Sequence, residues 1–272
     1  MTKNKVGMIG LIALSLASAS GCATASTPKP AAPQSGNEWM VSGVGYYRSA
    51  AENRALYYQA WNAARTELDR DLHSKHKGKP AKRAIIVDCD ETVLDNSEFE
   101  AGLIKTRKVY PEGWAEWIEA AKAKATPGSV EFLKYADSKG VDIFYVTNRM
   151  AGKESEATAR NLQSLGFPQS EKVVGKTDSS SKESRRRKIA EDHRIVLLAG
   201  DTLADLAEAW DKKTIEERAA NVDRLRAEFG HRFISLPNSM YGDWEAAMYR
   251  YNFKSTPAEK AKMRVDAATA NY

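Results

Sequence analysis

"IIVDCDETVLDN", residues 85–96, is the stretch that decides how this chain reads. Ile85, Ile86 and Val87 form a short β-branched run bounded by polar residues, the pattern of a strand buried on both faces of a parallel sheet. Two carboxylates, Asp88 and Asp90, follow at once, with Glu91 and Thr92 behind them. A carboxylate left at the end of a buried strand is costly unless something pairs with it. Either the strand runs out into a polar turn or its end belongs to a site, and these residues alone leave both readings open.

The flanking sequence narrows the choice. Tyr57, Trp61, Ala64 and Leu68 recur at helical spacing, so residues 46–72 read as an amphipathic helix that "HSKHKGKPAKR" (73–83) breaks before the first strand. Residues 97–125 read as helical, with Trp114, Trp117 and Ile118 on one face. A helix from Pro127-Gly128 to about Lys139 stops at Gly140. Strands "VDIFYVTNR" (141–149), "EKVVGK" (171–176), "RIVLLAGD" (194–201) and "RFISL" (232–236) then alternate with helices at 153–165, 183–192 and from Leu203 to Phe229, and a helical stretch closes the chain from Asp243. Strand–helix alternation from residue 84 to 236 predicts an α/β fold, a doubly wound, mainly parallel sheet, with a smaller helical cap. The predicted core is about 80–95 and 127–240, and the cap about 40–79, 96–126 and 243–272.

In such sheets ligands bind beyond the carboxyl ends of the strands. Those ends carry Asp88 and Asp90, then Thr147-Asn148-Arg149, then Gly200-Asp201 with Asp205 four residues on. Asp201 and Asp205, at i and i+4 where a helix begins, face the same way. Four carboxylates on one rim repel each other unless a cation is present, and an all-oxygen set suits Mg²⁺, which shares its coordination sphere with phosphate oxygens.

"DCDETVLDN", "TNR", "SSSKESR" and "GDTLADL", in that order, resemble the four motifs of the haloacid dehalogenase superfamily. The longer patterns around the first and the last, with "LPNSMYGDWEAA" (236–247), look like those of the class C acid phosphatases, the bacterial lipoprotein phosphatases. The resemblance covers the chain from about residue 40; Phe99 and Leu206 depart from the usual Tyr and Phe. It implies a phosphomonoesterase working through an aspartyl-phosphate, on 5′-nucleotides or a broader range of phosphomonoesters, or as a phosphotransferase. Asp88 would be the nucleophile, Asp90 the general acid and base, and Lys182 the fixed positive charge. Thr147 and Asn148 would bind phosphoryl oxygens. Asp88, the backbone carbonyl of Asp90, Asp201 and Asp205 would hold Mg²⁺. Trp114 and Tyr241 match the positions at which nucleotide-hydrolysing members sandwich a base. Lys182 is preferred to Lys176 because it opens a helix, whose N-terminus favours anions.

The whole chain bounds these expectations. Its 272 residues, 42% hydrophobic and 28% charged, suit one sizeable domain or a domain with a small companion. "MTKNK", a short apolar run and Cys22 read as an export signal over 1–22, too short for a membrane-spanning helix. Ala19-Ser20-Gly21-Cys22 resembles a bacterial lipobox with Ala19 in place of the usual Leu, so Cys22 is the expected lipidation site. Residues 23–39 read as a Pro- and Ser-rich tether, leaving 40–272 as the folded domain. Ala23 after the cysteine, in such lipoproteins, implies sorting to the outer membrane. Cys89, the one further cysteine, then has no partner for an intrachain disulfide. Loss of Lys3 and Lys5 with the signal lowers the net charge from +5 to +3, no footprint for a nucleic-acid polymer. The run Arg185-Arg186-Arg187-Lys188 has no interleaved aromatic and reads as a solvated helix face. A homodimer is compatible with all of this, and a non-enzymatic surface lipoprotein is the outside alternative.

Overall fold

The computed structural model of the protein describes residues 37–74 and 82–270. The expected signal segment 1–22, Cys22 and most of the 23–39 tether lie outside the described residues. Five strands form one parallel sheet in the order β5-β4-β1-β6-β7: β1 Lys82–Val87, β4 Asp142–Met150, β5 Val173–Lys176, β6 His193–Gly200 and β7 Phe233–Ser235. β2 Leu94–Asp95 and β3 Lys124–Ala125 make a separate antiparallel pair. The expected doubly wound α/β architecture is what the chain adopts.

β1 is central because its residues can be buried on both faces. Ala84 to Val87 are all buried, in register with β4 on one side and β6 on the other. From β1 the chain goes first to β4 and β5 on one side, then to β6 and β7 on the other. The direction of winding therefore reverses at β1, and a crevice opens beyond its carboxyl end.

The expected helix over 46–72 is two helices, α1 Val41–Ser49 and α2 Ala51–His73, broken at Ala50 in an extended conformation. No Gly or Pro marks this break. The Asn53 amide instead donates to the Tyr47 carbonyl across it, at 3.1 Å. The α2 residues Tyr57, Trp61, Ala64 and Leu68 are buried in the same cluster as Ile85, Val87 and Ile143. Although 40–79 is expected in the cap, α2 thus covers a face of the sheet, because its apolar stripe is long enough to serve as a core layer. The last residues of the expected tether belong to the fold: Asn37 is buried and donates to the Lys108 carbonyl.

Residues 97–125 likewise form two helices, α3 Ser97–Thr106 and α4 Trp114–Ala120. Pro111 and Gly113, the latter at φ 80°, interrupt the pattern. The remaining helices are α5 Ser129–Ser138, α6 Lys153–Ser164, α7 Glu183–Asp192, α8 Leu203–Leu206, α9 Ile215–Arg224, α10 Asp243–Met248 and α11 Pro257–Ala268. No helix among the described residues is long and apolar enough to cross a membrane.

Candidate active site

Pairing between β1 and β6 continues one residue past β1, where the Asp88 N–H donates to the Ala199 carbonyl at 2.9 Å. This sets Asp88 beside Gly200 and Asp201. The chain then turns sharply: the Cys89 carbonyl accepts from the N–H groups of Val93 at 3.0 Å and Leu94 at 2.8 Å, and Glu91 takes φ 56° inside the turn. The turn brings Thr92 back beneath the strand end. Its hydroxyl lies 3.3 Å from Asp88 Oδ2 and 3.2 Å from Asp201 Oδ1, and it accepts from the Asp201 N–H at 3.1 Å. With one proton to give, it bonds one carboxylate at a time.

Asp88, Asp201 and Asp205 each bring an oxygen within 4.8 Å of the other two. Asp205 reaches in from the first turn of α8, where its carboxylate also accepts from the Thr202 N–H at 3.2 Å. Gly200 makes room for it: a Cβ there would lie 2.4 Å from Asp205 Cβ and 2.6 Å from its Oδ2. Lys182, buried ahead of α7, ion-pairs both with Asp88 and, at 2.7 Å, with Asp205. Burial works to lower the Lys182 ammonium, but Asp205 and Asp88 more than offset it and hold it above its ordinary value. Burial pushes the Asp88 carboxyl up, against the pull of Lys182. Burial, Asp205 and Asp88 together push Asp201 well up, opposed by a 2.8 Å hydrogen bond from Asn238.

Three carboxylates against one ammonium leave two formal negative charges in a buried space. A divalent cation would cancel them, and the donors are all hard oxygens, so the residues present fit a divalent metal of the Mg²⁺ class.

Asp90 is not in this cluster. Its carboxylate turns to Arg149, accepting from Nη2 at 2.7 Å and from Nε at 3.0 and 3.2 Å, and from the Asn96 amide at 2.8 Å. Arg149 is itself 3% exposed and is tied to Thr158 Oγ1 at 3.0 Å. The Asn96 Oδ1 accepts from Trp117 Nε1 at 2.8 Å, while the Asn96 N–H donates to Glu91 at 2.8 Å. Two carboxylates two residues apart thus have separate holders: an ammonium for Asp88, a guanidinium and an amide for Asp90.

The other expected residues divide. Thr147 is fully buried, and its Oγ1 accepts from the Arg149 N–H at 3.1 Å. Asn148 is exposed, its side chain bound by Arg185 Nη2 at 2.7 Å, so alternation along β4 puts the two on opposite faces. Trp114 is half-buried against Phe99, with ring centres 5.1 Å apart, and the Arg149 guanidinium lies 5.3 Å from its ring centre. Tyr241 is half-buried and donates its hydroxyl to Glu91. Both aromatics therefore contact partners of the Asp90 network: Trp114 through Arg149, Tyr241 through Glu91. Arg149, Asn96, Glu91, Thr92 and Asn238 contact the site although the motifs assign them no role; alternation in β4 was the available signal for Arg149, which shares a face with Thr147. The basic run is also more than a solvated face, since Arg186 is buried and donates to the carbonyls of Ala204 and Asp205, both at 2.8 Å.

Comparison with known proteins agrees with this geometry. Residues 14–244 match the family described as HAD superfamily, subfamily IIIB (acid phosphatase). Among solved structures, the class C acid phosphatase from Bacillus anthracis is 44% identical, covering 86% of this chain and 97% of that one, with a TM-score of 0.81. A tungstate-bound structure of the Bacillus anthracis class C acid phosphatase is also 44% identical, covering 84% and 95%, with a TM-score of 0.79. The chain belongs to this family of acid phosphatases in the HAD superfamily, and its activity is phosphomonoester hydrolysis.

Proposed function

We propose that the protein hydrolyses nucleoside 5′-monophosphates and other organic phosphomonoesters, with Mg²⁺, through an aspartyl-phosphate on Asp88. The observation that carries this reading is the separate holding of the two aspartates: Lys182 on Asp88, Arg149 and Asn96 on Asp90. A nucleophile and a proton carrier need such independent control.

An Asp88 oxygen attacks phosphorus, forming an O–P bond as the bond to the leaving alkoxide breaks. Asp90, in its protonated form, gives its proton to that alkoxide. In the second half Asp90 takes a proton from water as the water oxygen bonds to phosphorus; the aspartyl O–P bond breaks, releasing phosphate and restoring Asp88. Lys182 stabilises charge on Asp88 and on the phosphoryl oxygens from a fixed, buried position. Thr147 and Asn148 would bind phosphoryl oxygens, Asn148 through its main chain because Arg185 holds its side chain. Mg²⁺, held by Asp88, Asp201, Asp205 and the Asp90 carbonyl, would supply further positive charge to the phosphoryl group.

Trp114 and Tyr241 are the proposed nucleobase contacts. Stacking contributes roughly 1–3 kcal/mol per base, enough to favour nucleotides over aliphatic phosphates. Phosphate release from a panel of 5′- and 3′-nucleotides, sugar phosphates and a small aliphatic phosphate, with and without EDTA, tests the proposal. Faster turnover of 5′-nucleotides, lost with EDTA and restored by Mg²⁺, is expected. Equal rates across the panel would leave a broad acid phosphatase or phosphotransferase, and full activity in EDTA would remove the metal. The Bacillus anthracis relative binds tungstate, and tungstate is expected to compete with phosphomonoesters here.

Lipidation at Cys22, anchoring at the outer membrane and a homodimeric assembly complete the proposal. Cys22→Ser should move the protein from the membrane to the soluble fraction; a variant that stays membrane-bound would exclude this anchor.

A further inference from the structure

β4 and β5 keep one parallel register as far as Val146 and Val174, and pair again at Met150 and Lys176. β4 therefore advances four residues where β5 advances two, so Thr147, Asn148 and Arg149 stand out of the ladder as a bulge. A bulge re-aims side chains and leaves main-chain groups without ladder partners. Arg185, in the first turn of α7, meets this bulge. Its Nη1 donates to the Thr147 carbonyl at 2.5 Å and lies 3.5 Å from the Val174 carbonyl. Its Nη2 donates to Asn148 Oδ1 at 2.7 Å and to the Ser181 carbonyl at 3.3 Å. One guanidinium thus joins β4, β5 and the residue just before Lys182.

Two consequences follow for the groups that would meet a phosphoryl oxygen. The Thr147 carbonyl and the Asn148 N–H belong to one planar trans peptide and point in opposite directions. Holding that carbonyl toward Arg185 therefore fixes the direction of the Asn148 N–H. The Thr147 hydroxyl is set within the same bulge: its oxygen accepts from the Arg149 N–H at 3.1 Å, which leaves its proton free to donate. All four acceptors of Arg185 are neutral oxygens, so its charge is not spoken for by a carboxylate among these partners. Burial lowers the pKa of the guanidinium, while the nearby Asp88 and Asp205 carboxylates oppose that fall.

We propose that Arg185 is a positioning residue of the phosphoryl site, clamping the Thr147–Asn148 bulge of β4 to the chain just before Lys182. The clamp gives the phosphoryl donors of β4 and the ammonium of Lys182 one fixed relative geometry. The proposal rests on the reading of Thr147 and Asn148 as phosphoryl binders. Arg185 touches no reacting atom; it acts through the peptide it holds. A guanidinium can span these acceptors because its N–H groups diverge in one rigid plane, whereas lysine presents a single nitrogen.

Arg185→Lys in the full chain with Mg²⁺ tests this through the inhibition constant of inorganic phosphate, which reads phosphoryl binding without any leaving group. That constant should rise about tenfold or more at an unchanged Tm. The loss in kcat/KM should be the same on an aliphatic phosphate and on p-nitrophenyl phosphate. Thr147→Val, which keeps the shape and removes the hydroxyl, should raise the constant as well. The double variant should exceed the worse single one by less than about twofold, because both changes undo one arrangement. An unchanged phosphate constant in Arg185→Lys, or losses that multiply in the double variant, would overturn the proposal. If Arg185→Lys unfolds, Asn148→Ala is read instead: it removes one acceptor and should raise the constant by a smaller factor, and no change would overturn the clamp. A Thr147→Val protein with the parent constant would show that the assignment of Thr147 itself had failed, and the role of Arg185 with it.

Discussion

Arg149→Lys probes the part of the site that depends most on geometry. The guanidinium holds Asp90 from two nitrogens, Nη2 at 2.7 Å and Nε at 3.0 Å, and also reaches Thr158 and Asn96. Lysine keeps the charge but presents a single nitrogen, so at most one of the two contacts to Asp90 survives. A charge-assisted hydrogen bond contributes about 1.5–3 kcal/mol, so a loss of roughly tenfold to hundredfold is expected if that whole amount is needed to aim Asp90 at the leaving oxygen. The loss should depend on the leaving group. In the proposed mechanism an alkoxide needs Asp90's proton, whereas p-nitrophenolate leaves with little help. The assay is therefore kcat/KM, which reports the first half-reaction, on an aliphatic phosphate and on p-nitrophenyl phosphate, with thermal unfolding as the control for folding. The aliphatic substrate should show the full loss and p-nitrophenyl phosphate a much smaller one. Equal losses on both, at unchanged Tm, would refute the idea that Arg149 acts by positioning a proton donor.

Asp88→Asn should abolish turnover at an unchanged fold, since the amide is nearly isosteric but cannot attack phosphorus; steady-state assay and circular dichroism check this, and substantial residual activity would point to another nucleophile. Trp114→Ala and Tyr241→Ala should each lower kcat/KM on a 5′-nucleotide by roughly tenfold or more, from stacking of about 1–3 kcal/mol, while sparing a small aliphatic phosphate; equal losses would make these rings structural. Asp71 supplies a pH test of stability. Burial alone would raise its carboxyl, but hydrogen bonds from Arg194 and Arg83 bring it down to about 2. The folded value lies below the unfolded value of about 3.9, so the stabilisation is complete above the unfolded value and is lost as pH falls toward the folded one. Asp71→Asn should cost about 1–2 kcal/mol near neutral pH, after allowance for solvent screening, and should flatten the decline of Tm on acidification between these two values; an unchanged decline would assign acid sensitivity elsewhere.

The convergence of Asp88, Asp201 and Asp205 was legible because a parallel sheet delivers the ends of its strands to one rim, and apolar runs locate those ends. Lys182 was legible through its motif, although its bridging of Asp88 and Asp205 was not. The Asp90 network was hidden for a physical reason. Arg149 and Asp90 lie 59 residues apart and Tyr241 and Glu91 lie 150 apart, and side-chain pairs over such separations leave no periodic trace. Asn148 shows the opposite case: motif reading joined it to Thr147, while the two-residue period of a strand separates neighbouring side chains. The place of α2 was missed because a helical stripe announces that it is buried without saying against what.

Gly200 carries a consequence for how this site would respond to change. It holds no charge, donates no side-chain bond and takes part in no chemical step, yet the space it leaves is the space the Asp205 side chain occupies. A methyl group there would push aside a carboxylate of the acidic cluster and, through it, the ammonium of Lys182. In a saturation screen scored by phosphate release, position 200 should behave like a reactive residue, tolerating no substitution, although nothing in its chemical formula would mark it out. The vulnerability of this site therefore extends beyond its functional groups to the volume kept empty for them.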